Sequence, residues 1–428
     1  MTQSIMAEPT LITFGCRLNA FESEVIRREA SRAGLAHAVI VNTCAVTAEA
    51  QRQARQAIRR ARREHPGAPI IVTGCAAQTE AEAFARMPET DAVLGNVEKL
   101  RPESWAAVSG ISGGDGGAGK PVLVSDIMER RELKPPRIPG MSERTRAFVQ
   151  IQTGCDHRCT FCIIPYGRGN ARSLPAEDVV EQVRALRRAG HREVVLTGVD
   201  LTSWGEDLGG GERLGHLVAR ILREVPELER LRVSSIDVAE IDVEFLRVLA
   251  GEERLMPHLH LSLQAGDDMV LKRMKRRHTR QQAVEFCAEV RQLRPCVAFG
   301  ADIIAGFPTE TEEMFANTLQ LVDDCDLVWL HVFPFSPREG TPAVHMPQVP
   351  GEVRKARAAT LREAGERRLS AFLEGLRGSV QQVLVERPGL ARAGCNAQVM
   401  IDETVPAGEI VPVRITGVSG QMLTGAVA

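Results

Sequence analysis

The chain of 428 residues is long enough for two or three domains, each with its own hydrophobic core. Its formal net charge of −2, with 44% hydrophobic and 25% charged residues, is typical of a globular protein and argues against a uniformly basic nucleic-acid binder. Residues 1–10 lack the apolar core of a signal peptide, and no apolar run approaches membrane-spanning length, so we expect a cytoplasmic protein with no membrane partner. In that compartment, ten cysteines favour metal or redox chemistry over disulfides.

The first hundred residues alternate between strand and helix patterns. Strands connected by helices of this length predict a parallel sheet with crossover connections. The predicted strands are 10–14, 38–41 and 69–73, and the predicted helices are 21–33, 47–64 and 78–87.

A cysteine follows each of these three strands: Cys16, Cys44 and Cys75. The carboxyl ends of parallel strands meet at one edge of a sheet, so the three thiols should converge. A single cysteine at a strand end is usually a small buried residue, but three at equivalent positions favour a three-cysteine iron–sulfur site. Four further cysteines show no paired spacing, and we interpret them as structural: Cys287, Cys296, Cys325 and Cys395.

Two stretches of the chain read as surface connections. Residues 109–120 are rich in glycine, and residues 134–140 contain Pro135, Pro136 and Pro139.

These connections precede a longer region, 147–335, in which strands and helices alternate again. Its predicted strands are 148–152, 193–197, 231–235, 258–263, 300–304 and 328–333, with helices at 176–189, 214–224 and 280–293. Six strand–helix units predict an open, partial (β/α)6 barrel.

The central motif follows the first barrel strand: Cys155, Cys159 and Cys162, spaced Cys-x3-Cys-x2-Cys. Three thiolates on one loop can hold three corners of a cubane cluster and leave the fourth iron open. A structural zinc site usually needs four protein ligands, and no second cysteine pair follows. His157 could be a fourth ligand, but we expect it to be a solvated loop residue. A disulfide would leave one cysteine over and requires an oxidising compartment.

Other residues at strand ends should line the same mouth of the barrel as the cysteine loop. Phe161, between the last two cysteines, would shield a cluster and offer a face to a purine ring. The remaining candidates for cofactor binding are Thr197, Gly198, Ser234, Gln264, Gly306 and Phe333. A glycine at a strand end usually serves only to form a turn. These candidates are therefore selected because they share a position at one end of the barrel.

The carboxyl-terminal part begins with a charged helix from Pro350 to about residue 376. Short β runs at 379–386, 397–401, 411–418 and 423–427 then predict a small barrel. Such barrels often bind oligonucleotides, but a stabilising appendage is the alternative. Residues 377–428 contain no aromatic side chain, so base stacking is not available there.

Positive charge is concentrated in three helical clusters. Basic helices are often just solvated faces, but three in one chain favour a phosphate-rich partner. The clusters are Arg52, Arg55, Arg59, Arg60, Arg62 and Arg63; Lys272, Arg273, Lys275, Arg276, Arg277 and His278; and Arg354, Lys355, Arg357, Arg362, Arg367 and Arg368.

The order of these parts resembles the methylthiotransferases, a family of radical S-adenosylmethionine (SAM) enzymes, over essentially the whole chain. The likeness lies in residues 13–24 (TFGCRLNAFESE), 41–44 (VNTC), 154–169 and 333–341 (FPFSPREGT). It implies an amino-terminal methylthiotransferase domain (8–108), a linker (109–140), a radical SAM core (141–370) and a β-barrel called TRAM (371–428). The first and third stretches are most similar to the branch that acts on N6-threonylcarbamoyladenosine (t6A) in tRNA.

The resemblance implies two [4Fe–4S] clusters and SAM as cofactors. Cys155, Cys159 and Cys162 would hold the cluster that binds SAM, and Cys16, Cys44 and Cys75 an auxiliary cluster that carries the sulfur. A radical would remove hydrogen from adenine C2, an inert bond for which a cofactor must supply the chemistry. The implied partners are the tRNA anticodon stem-loop, held through phosphates, and an electron donor of the flavodoxin or ferredoxin type.

Three alternatives remain open at this point. The acceptor could be isopentenyladenosine in tRNA or an aspartate of a ribosomal protein, and a non-catalytic iron–sulfur RNA-binding protein would belong to another class. The incomplete ligand sets argue against the last, because a simple electron carrier needs no open iron. Residues 237–240 (DVAE) depart from a stretch that often contains proline in the family, which leaves individual SAM contacts there undetermined.

Overall fold

The amino-terminal part of the chain is a parallel sheet with helices packed against it. The computed structural model describes residues 8–114, 119–133, 138–141 and 144–428. The sheet has the strand order β1-β2-β3-β4-β5, and β2 and β3 begin with apolar residues and are buried along their whole length, as expected for strands covered on both faces. Its elements are β1 (Thr10–Thr13), α1 (Arg17–Arg32), β2 (Val39–Thr43), α2 (Ala48–Glu64), β3 (Ile70–Gly74), α3 (Cys75–Thr79), α4 (Ala81–Ala85), β4 (Ala92–Leu94), α5 (Pro102–Ala107) and β5 (Val122–Leu123).

The three predicted strands and the parallel sheet are confirmed. The single helix predicted over 78–87 is wrong, because Glu80 leaves helical geometry and separates α3 from α4. Its carboxylate is held instead by α2, where it accepts hydrogen bonds from Gln51 (2.6 Å) and Arg55 (3.0 Å). The strands β4 and β5 are too short to give a periodic signal.

The predicted connection 109–140 is only partly described. β5 lies within it and extends the sheet beside β4. Residues 115–118 of the glycine-rich stretch, and Pro135 and Pro136 of the proline-rich stretch, lie outside the described residues.

The central part is a barrel that remains open between its first and last strands. One sheet has the order β10-β9-β6 and the other β11-β12-β13-β14, with all pairs parallel, while β7 and β8 form a short antiparallel ladder. The elements are β6 (Arg146–Gln150), β7 (Gln152–Thr153), α6 (Ile164–Arg168), β8 (Arg172–Ser173), α7 (Ala176–Arg188), β9 (Glu193–Thr197), α8 (Leu214–Glu224), β10 (Arg230–Val233), β11 (Ser235–Ile236), α9 (Val243–Gly251), β12 (His258–Gln264), α10 (Asp268–Met274), α11 (Arg280–Leu293), β13 (Ala298–Ala305), α12 (Glu312–Asp324) and β14 (Leu327–Pro334).

The prediction of a partial barrel is therefore confirmed. The chain changes from one sheet to the other at Ser234, between β10 and β11. Helix α1 of the amino-terminal part packs against β6 and contributes Phe21 and Val25 to the core of the barrel. The barrel core thus extends onto α1, while the amino-terminal sheet has core clusters of its own.

A long helix, α13 (Gly351–Gly375), packs against β14 and leads into the carboxyl-terminal barrel. This barrel is closed in the order β15-β16-β17-β19-β18, so the predicted small barrel is confirmed. Its strands are β15 (Val380–Arg387), β16 (Leu390–Ala393), β17 (Gln398–Met400), β18 (Ile410–Ser419) and β19 (Met422–Val427). β16 was not predicted, because its inward side chains are the small Ala391 and Ala393. No helix in the described part of the chain is long and apolar enough to cross a membrane.

Candidate functional site: two sets of three cysteines

The amino-terminal cysteines meet at the carboxyl edge of the first sheet. Cys16 lies after β1 and immediately before α1, Cys44 follows β2, and Cys75 follows β3 as the first residue of α3. A Cβ atom on Gly15 would lie 2.9 Å from the sulfur of Cys44. Burial, reinforced by the neighbouring thiols of Cys75 and Cys16, raises the pKa of Cys44 to about 12. The three thiols that the sequence places far apart are therefore close together.

A buried arginine from the central part reaches this amino-terminal set. Arg168, at the end of α6, donates from Nε to the sulfur of Cys75 (3.2 Å). Its other nitrogens donate to Glu22 (2.7 and 2.8 Å) and to Asn19 (2.6 Å). Arg168, Glu22 and Asn19 are all nearly inaccessible to solvent. The guanidinium is thus fixed in place, with one donor aimed at a cysteine.

The same network holds the loops that carry the other two cysteines. Asn19 donates to the carbonyl oxygens of Phe14 (2.7 Å) and Thr43 (3.0 Å), which lie shortly before Cys16 and Cys44. Lys99 is buried as well and donates to Glu22 (2.7 Å). Burial opposes ionisation of Glu22, but the charges of Arg168 and Lys99 outweigh it and lower its pKa to about 2.

The second set lies on one loop between β7 and α6. Cys155, Cys159 and Cys162 line a cavity of about 160 Å³ together with Phe161. Gly154, before the first of them, has φ +73°, and a Cβ there would collide with the carbonyl oxygen of Asn170, so the turn requires glycine. Burial raises the pKa of Cys155 and, to about 12, that of Cys162.

Charged side chains surround this loop. His157 contacts Asp200 (2.9 Å) and Glu240 (3.4 Å), and these hydrogen bonds raise its pKa to about 10. The expectation that His157 is a solvated loop residue is wrong, because the two carboxylates hold it against the protein. On the other side, Arg276 pairs with Asp237 (2.7 Å) and lies 3.7 Å from the sulfur of Cys159.

The predicted cofactor residues divide into two groups. Phe161 and Gln264 line the cavity with the cysteines, and Gln264 adopts a left-handed φ of +70° at the end of β12. The other five lie at strand ends but outside the wall of this cavity: Thr197, Gly198, Ser234, Gly306 and Phe333.

Side-chain alternation along the strands explains this division. Residues shortly after those predicted face the cavity instead, namely Val199, Asp200 and Ser235. Gly198 has a supporting role, because a Cβ there would lie 3.0 Å from the side-chain oxygen of Gln152, which accepts from the backbone N–H of Asp200 (2.9 Å).

Asp200, Asp237 and Arg276 are site residues that sequence reasoning did not select. Asp200 and Asp237 lie in stretches that follow barrel strands, which is a signal that could have identified them. Arg276 follows α10 and carried no comparable signal.

The two cysteine sets are joined by the five-residue helix α6. This helix begins two residues after Cys162 and ends at Arg168, which contacts Cys75. A Cβ on Gly167 would lie 3.5 Å from the Cβ of Cys75. Asn96 donates to the carbonyl oxygen of Gly167 (2.6 Å) and, at 3.6 Å, to the sulfur of Cys75. The two sets therefore lie next to each other across one tight packing contact.

The three sulfurs of neither set converge closely enough to hold one zinc ion by themselves. Thiolates around one tetrahedral zinc ion lie about 3.8 Å apart, given Zn–S bonds of about 2.3 Å. Among the described residues, the groups whose ligand atoms all lie within 4.8 Å are Cys155–His157–Asp200 and His260–Asp302–His331. Neither set of three cysteines satisfies this limit, whereas a cubane separates its thiolates more widely than one ion does. The donor chemistry of both sets thus fits a [4Fe–4S] cluster.

The basic clusters are only partly available to a partner. Arg62 is bonded to Asp91, Arg276 faces the cysteine cavity, and Arg357 is buried beside Glu310. These three arginines are therefore engaged within the protein and do not add to a surface for a phosphate-rich partner. The exposed arginines of the first cluster, on α2, are Arg52, Arg59, Arg60 and Arg63. Three of them also pair with a carboxylate: Arg52 with Glu49, Arg59 with Glu89 and Arg60 with Glu64.

Comparisons with known proteins agree with this architecture. Residues 149–322 match the radical SAM superfamily, and residues 9–95 match a family described as uncharacterized protein family UPF0004. The chain is 47% identical over 408 residues to threonylcarbamoyladenosine tRNA methylthiotransferase MtaB of Rickettsia prowazekii (strain Madrid E), covering 95% of this chain and 94% of the relative. It is 33% identical over 437 residues to tRNA-2-methylthio-N(6)-dimethylallyladenosine synthase of Erythrobacter litoralis (strain HTCC2594), covering 96% and 95%.

Among solved structures, the radical S-adenosylmethionine methyltransferase TsrM from Kitasatospora setae shares the fold. The TM-score is 0.55 at 16% sequence identity, covering 94% of this chain and 81% of that one. The family assignment rests on the two family matches and on the full-length sequence identity. The chain belongs to the methylthiotransferase family of radical SAM enzymes.

Proposed function

We propose that this protein transfers a methylthio group to C2 of N6-threonylcarbamoyladenosine at position 37 of tRNA. The observation that carries the proposal is the pair of adjacent three-cysteine sites, each one ligand short of a cubane. The choice of t6A rests on the 47% identity to a relative named for that nucleoside. The family uses SAM and iron–sulfur clusters, which accounts for two incomplete ligand sets in one chain.

Each cysteine set has its own assignment in this proposal. Cys155, Cys159 and Cys162 would hold the cluster that binds SAM, and Cys16, Cys44 and Cys75 the auxiliary cluster that carries the transferred sulfur. When bound, the first cluster would supply the one-electron cleavage of SAM, and the second would supply the sulfur. The inert C2–H bond requires such cofactor chemistry. The proposed domains are 8–108, 141–370 and 371–428, connected by 109–140.

The cavity beside the second set suits the amino acid end of SAM. Asp200 and Asp237 offer carboxylates to an amino group, and Arg276 offers a guanidinium to a carboxylate. Phe161 lines the same cavity and would exclude water from the cluster. The other five predicted residues would shape the strand ends and would not contact SAM directly. They are Thr197, Gly198, Ser234, Gly306 and Phe333.

The proposed partners follow from the substrate and the chemistry. The anticodon stem-loop of tRNA would contact exposed arginines such as Arg59, Arg60 and Arg63 on α2 through its phosphates. A small electron-transfer protein of the flavodoxin or ferredoxin type would supply the electron.

A second acceptor has a specific observation in its favour. The relative named for dimethylallyladenosine is 33% identical over nearly the whole chain, so the fold serves two tRNA nucleosides. The chemistry at C2 would be the same, and only the group on N6 would differ.

The test is nucleoside analysis of bulk tRNA after deletion of the gene. We expect 2-methylthio-threonylcarbamoyladenosine to disappear, t6A to accumulate and 2-methylthio-dimethylallyladenosine to be unchanged. Re-expression of the intact chain should restore the lost nucleoside, whereas the Cys159→Ala variant should not. Persistence of 2-methylthio-threonylcarbamoyladenosine in the deletion strain, or loss of the dimethylallyl product instead, would contradict the proposal.

A further inference from the structure

A second cavity, of about 380 Å³, lies where the three parts of the molecule meet. Helix α1 contributes Arg17, β12 contributes His258 and His260, and β14 contributes His331. Helix α13 and loops of the carboxyl-terminal barrel complete the wall with Arg362 and Asn396. Neither the cluster chemistry nor the SAM cavity uses these residues.

Arg17 directly follows the proposed cluster ligand Cys16. It is partly buried at the first position of α1. In the part of the chain that the structure describes, its guanidinium makes no hydrogen bond or ion pair within the protein. A partly buried arginine with free donors facing a cavity is suited to a planar anion such as a carboxylate.

The surroundings of Arg17 are positively charged. His258 is only 2% exposed, and both of its ring nitrogens lack a hydrogen-bond partner. Burial and the charges of Arg232, Arg17 and Arg392 hold the pKa of His258 well below its ordinary value. An anion entering the cavity would find an unpaired guanidinium and an imidazole without a partner.

Two carboxylates lie near these groups: Glu366 of α13, at the exposed edge of the cavity, and the more deeply placed Asp302. Asp302 accepts from His260 (3.0 Å) and from His331 (3.2 Å), and these two contacts hold its pKa well below the usual range against the effect of burial. Among the described residues, neither Asp302 nor Glu366 forms an ion pair with Arg17, so its guanidinium remains available to an anion.

We propose that this cavity binds the threonine carboxylate of the t6A nucleoside, with Arg17 as the specificity-determining residue. The inference rests on the proposed function and deepens it. The threonylcarbamoyl group carries a carboxylate, whereas a dimethylallyl group is uncharged, so an anion site would separate the two tRNA nucleosides. In the adenine ring, C2 and the carbon that bears N6 are both bonded to N1. A substituent on N6 that binds Arg17 would therefore lie on the same side of the base as C2, beside a sulfur donor held by Cys16.

A divalent cation is the competing occupant of this cavity. The ligand atoms of His260, Asp302 and His331 lie within 4.8 Å of one another, which a metal ion could use. The unpaired charge of Arg17 and the nearby Arg232 and Arg392 oppose a cation there. The anion is therefore the occupant that the charges favour.

The test measures binding of three anticodon stem-loops by fluorescence anisotropy, using the full-length, cluster-loaded chain under anaerobic conditions. The RNAs have one sequence and carry threonylcarbamoyl, its methyl ester or dimethylallyl on N6 of residue 37. The native protein should bind the carboxylate about tenfold or more tightly than the ester, as expected for a charge-assisted pair. Arg17→Ala should remove this difference by weakening binding of the carboxylate RNA alone.

Two variants keep the test interpretable. Arg17→Lys retains the charge without the planar fork and should preserve part of the preference. Arg223→Ala removes an exposed arginine on α8 that lies 3.6 Å from Glu224, and should leave all three affinities unchanged. Iron content and the visible absorbance of each variant show that its clusters are intact, because Arg17 adjoins Cys16.

Several outcomes would overturn the inference while leaving the proposed function intact. The native protein could bind carboxylate and ester equally well while still modifying t6A. Arg17→Ala could weaken all three RNAs alike, which would place Arg17 on the RNA backbone. Stoichiometric Mn²⁺ binding that is lost in Asp302→Asn would assign the cavity to a cation. Modification of the dimethylallyl RNA in place of the threonylcarbamoyl RNA would instead overturn the proposed function.

Discussion

Both cysteine sets gather three thiols at one site, but one set lies on a single loop and the other comes from three separate strands. Cys155, Cys159 and Cys162 lie within eight residues on one loop, and a glycine turn shapes their geometry. Cys16, Cys44 and Cys75 follow three different strands, and their geometry comes from the parallel sheet and a buried polar network. A local site can be recognised by spacing alone, whereas a dispersed site depends on the integrity of a whole domain.

Support from neighbouring side chains also differs between the sets. Part of the charge around the loop set is at least partly exposed, on His157 and Arg158, while the side chains of Asp237 and Arg276 are buried there. The dispersed set rests on Arg168, Glu22 and Lys99, all inaccessible to solvent. Because a buried charge that loses its partner is far more costly than an exposed one, the dispersed set should be the more fragile of the two.

The largest expected effect comes from removing one cysteine of each set. Cys159→Ala should abolish both SAM cleavage, measured as 5′-deoxyadenosine, and methylthio transfer. Cys44→Ala should abolish transfer but retain SAM cleavage, because the loop set is intact. Iron content should fall from about eight to about four per chain in either variant.

The exposed Cys296 provides the matched control, and Cys296→Ala should keep both activities and the full iron content. Loss of SAM cleavage in Cys44→Ala, with its remaining iron still present, would contradict the division of labour between the two sets.

The next largest effect concerns the arginines beside each set. Arg168→Met leaves the carboxylate of Glu22 buried with Lys99 as its remaining cationic partner, and removes a donor to Cys75. The free energy of unfolding, measured by urea titration with circular dichroism, should fall by about 3 kcal/mol. Arg158→Met removes an exposed guanidinium that bonds the carbonyl of Cys155 (2.8 Å), and should cost less than about 1 kcal/mol. Equal losses in the two variants would refute the difference in fragility.

Acid should weaken the dispersed set through Glu22. Its pKa is lowered in the folded chain to about 2, from an ordinary value near 4.5. The contribution of Glu22 is therefore fully present above about pH 4.5 and is lost as the pH falls toward 2, by about 3 kcal/mol in all. Urea unfolding of the cluster-free chain across this range should show the loss, and Glu22→Gln should flatten it. A slope unchanged by the substitution would show that other groups control acid stability.

The smallest effect is expected at the loop set. His157→Gln removes the charged contacts with Asp200 and Glu240 from a partly exposed side chain. We expect the dissociation constant for SAM, measured by equilibrium dialysis, to rise about fivefold, which corresponds to about 1 kcal/mol. A change of a hundredfold or more would mean that His157 contacts SAM or the cluster itself.

The sequence was sufficient for features that repeat or are local. The alternation of apolar strands and helices predicts the parallel sheets and the partial barrel, and the strand-end rule brings Cys16, Cys44 and Cys75 together. It failed where structure depends on contacts between distant residues. Helix α4 separates from α3 because Glu80 bonds to α2, and β16 forms because small alanines fit the core of a closed barrel.

The site was predicted less completely than the fold. Position at a strand end does not state which way a side chain points, so Thr197 and Ser234 were chosen while Asp200 and Ser235 face the cavity. The link from Arg168 to Cys75 spans 93 residues and carries no periodic signal. Only the packed structure shows that one set of cysteines is supported by the helix that follows the other.

The most direct test of the account is Mössbauer spectroscopy of the chain reconstituted with ⁵⁷Fe, before and after addition of SAM. The account predicts two [4Fe–4S] clusters per chain, with SAM altering the signal of one iron in the cluster that depends on Cys159. A single cluster per chain, or zinc in place of iron at Cys155, Cys159 and Cys162, would contradict it.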